Sequence, residues 1–195
     1  MSSQSLLPGF AEPPPLTHRL FFALFPEHDA AARIAQLARQ LCDKHQLKGQ
    51  PLRTERFHVT LHHLGDYAEL PGDLVAIAQD AAASFTAASF EVAFDHVASF
   101  SSMPRNRPLV LRGGDQLAAL EDFQRNLGST LKRMPLGRWA RPGYTPHVTL
   151  LYDDKAVAAQ AIDAIGWKVS EFVLVHSLIG QSRHIPLGRW PLLMP

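Results

Sequence analysis

The chain predicts an α+β protein built from two similar halves, and three observations predict it. Segments that alternate polar and apolar residues, the period of a half-buried strand, take turns with segments whose apolar residues recur at helical spacing. The tetrad His-Val-Thr-Leu occurs twice, at His58–Leu61 and His147–Leu150, about half the chain apart. Of the 195 residues, 46% are hydrophobic, enough to fill a real core.

The elements follow in order. Residues 1–17 carry Ser, Gly and the run Pro13-Pro14-Pro15 and read as a flexible tail. They lack the basic start and long apolar run of a signal peptide. Residues 18–195 read as one bilobal domain. Arg19–Phe25 is a strand. Glu27–Gln46 is a helix with Ile34, Leu37 and Leu41 at helical spacing, and Pro26 suits its first turn. The first tetrad lies on a strand near Arg56–Leu64. Gly72–Ser84 reads as a second helix, with Leu74 and Ile77 on one side. Ser89–Phe100 alternates Phe90, Val92 and Phe94 and reads as a strand. Ser101–Arg107 is a loop, and Leu109–Arg112 a strand ended by Gly113-Gly114. Asp115 can cap a helix that carries Leu117, Leu120, Phe123, Leu127 and Leu131. Met134–Thr145, rich in Gly and Pro, is a loop before the second tetrad strand. An Ala-rich stretch predicts a short helix over Lys155–Ile165. Lys168–Ile179 reads as one long strand, with Arg183–Leu193 as its hairpin partner.

The tetrads carry the chemistry. A strand sends residues i and i+2 to one face, so His58 and Thr60 point together, as do His147 and Thr149, while Val and Leu turn to the core. Two such strands side by side converge two imidazoles and two hydroxyls on a small volume. Imidazole gives or takes a proton near neutral pH. Two of them, on opposite sides of a phosphorus, can serve both halves of a hydrolysis. One deprotonates the attacking water and the other protonates the leaving oxygen. Threonine hydroxyls can donate to the non-bridging oxygens as charge builds on them. The scheme needs no metal. His62 would share a strand face with His58, but a spacing of four fits a helical metal pair, and no carboxylate or Cys cluster accompanies it. Several arginines, Arg53, Arg56, Arg105, Arg107, Arg141 and Arg183, could steer a phosphate or stack on a base, and of these Arg105 and Arg107 lie where a loop could rim the groove. Phe57, Tyr144 and Tyr152 are aromatics that could stack a base, although Phe57 suits the core equally well.

On these residues the chain resembles the 2H phosphoesterase superfamily, and within it the LigT-like group of RNA 2′,3′-cyclic phosphodiesterases and 2′-5′ RNA ligases. The paired His-x-Thr motifs are the specific part of the likeness. The opening strand Arg19–Pro26, the Leu64-Gly65 after the first motif, the Phe100–Arg107 loop and Pro146 before the second motif support it. The resemblance implies two pseudo-symmetric lobes, each an antiparallel sheet with helices on its outer face, flanking a central cleft. It implies His58 as proton donor, His147 as proton acceptor, and Thr60 and Thr149 as phosphate holders. The chain departs from the pattern in two places. Leu151-Tyr152 stands where many relatives carry an Arg, which makes Tyr152 a candidate substrate contact beside Arg105 and Arg107. Arg183-His184 stands where relatives often show an aromatic.

The implied substrate is a 2′,3′-cyclic phosphate at an RNA 3′ end or on a small nucleotide, hydrolysed or, in reverse, joined through a 2′-5′ linkage. Two alternatives remain: an RNA-end binding module without turnover, and a phosphodiesterase for another small phosphoester. A net charge of +1 argues against broad binding to duplex DNA. No apolar run reaches the length of a membrane span. No Gly-rich phosphate loop is present, so no cofactor is expected. The lone Cys42 excludes an internal disulfide and fits a reducing, cytoplasmic setting. A monomer is expected.

Overall fold

The computed structural model describes residues 14–100 and 104–194. The elements run β1 (His18–Leu24), α1 (His28–His45), β2 (Val59–Tyr67), α2 (Gly72–Ala83), β3 (Phe90–Ser99), β4 (Arg107–Arg112), α3 (Ala118–Arg133), β5 (Val148–Asp153), β6 (Gln160–Val169), β7 (Glu171–Leu178) and β8 (Arg183–Pro191). Most of the proposed tail, and the start of the Ser101–Arg107 loop, lie outside the described residues. Thr17 is already tied down: its N–H donates to the Tyr67 carbonyl at 2.9 Å, and its hydroxyl to that of Ala68 at 3.2 Å.

The protein is α+β, with one antiparallel sheet in the order β6-β3-β4-β5-β2-β1-β7-β8. The four strands β6-β3-β4-β5 and the four strands β2-β1-β7-β8 meet at β2 and β5, which share the single register pair Val59↔Val148. These groups of four do not coincide with the two halves of the sequence. The chain's first two and last two strands form one group, and its middle strands form the other.

All three helices join one core with one face of the sheet. Leu20, Phe22 and Leu24 of β1 meet Ile34, Ala38 and Leu41 of α1, the small residues Ala78 and Ala81 of α2, and Leu120, Phe123 and Leu127 of α3 in a continuous cluster. Phe22 and Phe172 are fully buried there and stack obliquely at 6.0 Å. Each such side chain contributes roughly 1.5–3 kcal/mol by leaving water. The odd residues Phe21 and Ala23 form a second, smaller apolar patch with Val173 and Val175 on the face without helices. That bare face is the floor of a cleft.

Three details differ from the sequence-based expectation. The Ala-rich segment expected to be helical over Lys155–Ile165 enters β6 and pairs with β3, from Val97↔Gln160 to Phe90↔Val169. Ile165, Trp167 and Val169 alternate inward, and Trp167 stacks on Phe94 at 5.2 Å. Alanine propensity loses to this period-two burial. The long strand expected over Lys168–Ile179 is broken at Ser170, between β6 and β7. The third difference lies in β2. Its pairing to β1 skips Leu61 and Leu64, so Thr60 faces Ala23, His62 faces Phe22 and His63 faces Phe21. These bulges reverse the alternation. His62 therefore does not share a face with His58. It is buried on the helix side, bonded through Nε2 to the Gln124 carbonyl at 2.9 Å, while His63 turns to the cleft.

Candidate active site

Each motif histidine stands immediately before its strand, and each threonine is the strand's second residue. Val59 lies opposite Val148, and both valines point into the core. Carrying that antiparallel register one residue to either side sets His58 beside Thr149 and His147 beside Thr60. The imidazoles are then diagonal neighbours, which in a regular ladder stand roughly 7–8 Å apart at the backbone. All four polar side chains line one cavity of about 440 Å³ on the bare face of the sheet.

The two imidazoles are held alike. The His58 Nδ1 is 2.7 Å from the Arg56 carbonyl, and the His147 Nδ1 is 2.8 Å from the Thr145 carbonyl. A carbonyl only accepts, so each Nδ1 carries the proton and each Nε2 keeps a free lone pair. This is the tautomer a proton-transferring imidazole needs, set in both cases by the residue two positions back.

Aromatic walls surround both rings. His58 packs on Phe21 at 5.0 Å and on Phe25 at 6.0 Å, and meets His184 edge-on at 5.0 Å. His147 meets Phe100 edge-on at 4.9 Å. Burial among these rings pushes the His58 pKa down to about 4 and lowers that of His147 as well. His184 is pushed down to about 3, chiefly by burial and then by its neighbour His58. Near pH 7 the rings of His58, His147 and His184 are therefore neutral.

Two arginines supply positive charge. Arg19 grips Asp66 through two hydrogen bonds of 2.7 Å, and the same carboxylate accepts from His63 Nε2 at 2.9 Å. The bond to Arg19 holds the Asp66 carboxyl down at about 2. Arg19 thus arrives with much of its charge answered. Arg56 does not. It lines the cavity, has no carboxylate partner among the described residues, and its Nε is buried without a hydrogen bond. One cross-strand row, His184–Ser177–Arg19–Asp66, runs across four strands, and its first three members line the cavity.

Of the residues singled out from sequence, His58, Thr60, His147, Thr149 and Tyr152 meet in this cavity, and Tyr152 remains exposed at its mouth. Arg105 and Arg107 are not among its lining residues. Arg107 donates instead to the Asp154 carbonyl, and the Asn106 N–H to the Asp154 carboxylate at 2.7 Å, which ties that segment to the end of β5. Phe57 is fully buried in the core. Sequence reasoning missed Arg19, His63 and His184 as site residues. The alternation of Arg19, Phe21 and Ala23 against Leu20, Phe22 and Leu24 carried the signal for the first. Nothing local marked His63, and His184 stood out only as a departure from the family pattern. Among the described residues, no three His, Cys, Asp or Glu side chains are grouped to hold a metal ion. No helix among them is long and apolar enough to cross a membrane.

Known proteins share this arrangement of chain. The structure is similar to that of E. coli LigT complexed with 3′-AMP, at 27% identity over 90% of this chain and 98% of that one, with a TM-score of 0.68. Apo E. coli LigT matches at 25% identity over 91% of this chain and 99% of that one, TM-score 0.70. TT0787 of Thermus thermophilus, at 18% identity, shares the fold over 89% of this chain and 97% of its own, TM-score 0.70. No curated protein sequence matches the chain. The family model of the 2′-5′ RNA ligase superfamily matches residues 25–180, which takes in both His-x-Thr motifs. The chain therefore belongs to the 2′-5′ RNA ligase superfamily, the 2H phosphoesterases, and is an enzyme of phosphoester chemistry.

Proposed function

We propose that the protein opens 2′,3′-cyclic phosphates at RNA ends or on nucleotides without a metal, with His58 as acid and His147 as base. The observation that carries this is the matched pair of Nδ1-anchored imidazoles whose free Nε2 atoms belong to one cavity with two threonine hydroxyls. The solved complexes of E. coli LigT with 3′-AMP, with ATP and with phosphate support a ligand of this size and charge.

His147 Nε2 takes a proton from water as the water oxygen bonds to phosphorus. The P–O3′ bond breaks, and protonated His58 gives its Nε2 proton to O3′. The product is a 2′-phosphate with a free 3′-hydroxyl. Thr60 and Thr149 donate to the non-bridging oxygens, whose charge grows in the transition state. With a 5′-hydroxyl in place of water, the same ring opening at P–O3′ forms a 2′-5′ linkage. Arg56, with no carboxylate of its own, answers the phosphate charge in the place of the arginine missing after the second motif. Burial leaves His58 neutral near pH 7, so it takes up its proton together with the anion that stabilises it.

The test is hydrolysis of a cyclic-phosphate oligonucleotide by purified protein in excess chelator. His58→Ala and His147→Ala should each lose about 10²–10⁴-fold in kcat. Full turnover in both variants would overturn the mechanism.

A further inference from the structure

The catalytic cavity does not end at the imidazoles. A second cavity of about 410 Å³ shares Thr60, His63 and His147 with it and passes beneath Phe100 and Trp139. A third, of about 470 Å³, shares His62, Gln124 and the 141–144 segment with the second, and lies between that segment and α3. These shared residues set the three cavities side by side, a trough in series from the catalytic pair to α3. Glu121 and Lys132 bound it along α3, about 16 Å apart at helical rise. Gly128 keeps its floor low: a Cβ there would stand 3.0 Å from the His62 ring.

The far end of the trough is cationic. Arg125, Lys132 and Arg141 face it against one carboxylate, Glu121. Arg125 shares an exposed ion pair of 2.7 Å with Asp122, a contact weak in water. Lys132 and Arg141 are exposed and have no carboxylate partner among the described residues. The near end is aromatic, with Phe100, Trp139 and Tyr144 on its walls. The Tyr144 hydroxyl is buried without a hydrogen bond in the wall common to both cavities. A chain whose net charge is only +1 sets three cations around this one cavity. Aromatic faces followed by a file of cations match the alternation of base and phosphate along a single strand.

We propose that this trough is a subsite for the nucleotides on the 5′ side of the terminal phosphate, so that the substrate is a single-stranded oligoribonucleotide rather than a free nucleotide. This rests on the cyclic phosphodiesterase reading of the catalytic cavity. The walls at Phe100, Trp139 and Tyr144 take bases. Arg125, Lys132 and Arg141 take the backbone phosphates.

The experiment compares a mononucleotide 2′,3′-cyclic phosphate with a hexaribonucleotide bearing the same end, for the unaltered protein and for the double variant Arg125→Glu, Lys132→Glu. The unaltered protein should turn over the hexamer with kcat/KM about tenfold higher at low salt, and the double variant should lose that advantage through KM with the mononucleotide rate unchanged. The salt dependence of hexamer binding should flatten by about 0.7 in log–log slope for each phosphate that the variant no longer neutralises. Equal kcat/KM for the two substrates, or an equal loss on both in the variant, would overturn the subsite. Anisotropy of a labelled hexamer ending in a 2′-phosphate reads the trough without turnover. Weaker binding in the double variant supports it, and unchanged binding overturns it even if no substrate is hydrolysed. Competition by polyglutamate as effective as by the hexamer would assign the trough to an acidic protein and overturn the RNA assignment. Hydrolysis of neither the mononucleotide nor the hexamer by the unaltered protein would instead strike the function proposed for the catalytic cavity.

Discussion

His58 and His147 face a conflict between burial and charge. Burial keeps both imidazoles neutral near pH 7, with His58 down at about 4. Neutrality suits His147 as a base, and its lowered pKa places the acid limb of kcat/KM below about pH 6.5, the ordinary histidine value, where a pH–rate profile should find it. A limb at or above about pH 7 would contradict the assignment. Neutrality does not suit His58 as an acid, so binding of the phosphate must bring a proton with it. Calorimetry of a 2′-phosphorylated nucleotide at about pH 7, in buffers of different ionisation enthalpy, should register net proton uptake, and none would argue against His58 as donor. The two arginines divide by their partners. Arg56→Gln should raise KM for the cyclic phosphate about 10–100-fold, the worth of a charged hydrogen bond, while its backbone carbonyl still anchors His58. Arg19→Gln should cost less, because Asp66 already absorbs that charge. An equal effect of both substitutions would refute this division. Both His-x-Thr motifs were legible in the sequence because motif and chemistry are local. Arg56 was visible only as one arginine among several, since what distinguishes it is the lack of a partner.

At the scale of elements, β2 decides which histidine faces the cleft. Its two irregularities let Leu61 and His62 both face the helices and then return His63 and Asp66 to the cleft. Gly65 sits at the second of them with φ +122, and a Cβ there would lie 2.5 Å from the Tyr67 hydroxyl. Gly65→Ala should therefore destabilise the protein by about 1–3 kcal/mol, read as a lower urea midpoint, and an unchanged midpoint would show that the strain is absent. A second link ties the end of β5 to the loop after α1. The buried Asp153 accepts backbone N–H groups of Lys48 at 2.6 Å, Gly49 at 2.7 Å and Lys155 at 2.7 Å. Those bonds, led by that from Lys155, hold its carboxyl below the usual range. Asp153→Ala would strand three donors and should cost about 2–4 kcal/mol by the same denaturation measurement. Strands with clear alternation, such as β1 and β3, were legible from sequence within a residue or two at each end. The strand at Gln160–Val169 was not, because its alanines follow helix propensity until a partner strand claims them, and no local pattern names that partner.

The whole molecule places its chemistry on a seam. Two groups of four strands meet through Val59↔Val148, and the motif residues flank that single pair. Burial that serves the site also makes the fold sensitive to acid. His58, His62, His147, His176 and His184 all lie below the usual histidine pKa, with burial the leading cause in each. The unfolded chain then binds more protons than the folded one between about pH 6.5 and 4. Stability is complete above that window and is lost as pH falls through it, so Tm should drop steadily from about pH 7 to about pH 4. A flat Tm across the window would contradict the burial of these rings. The sequence by itself determined the α+β class, the two His-x-Thr motifs and the core faces of most elements, because hydrophobic period and side-chain chemistry act over a few residues. Only the tertiary structure decided that the chain's outer and middle strands form the two groups, that β2 turns His62 inward and His63 outward, and that Arg19, Arg56 and His184 close around the motifs. Those outcomes depend on strand partners far apart in the chain, and pairing between distant strands leaves no mark on either one alone.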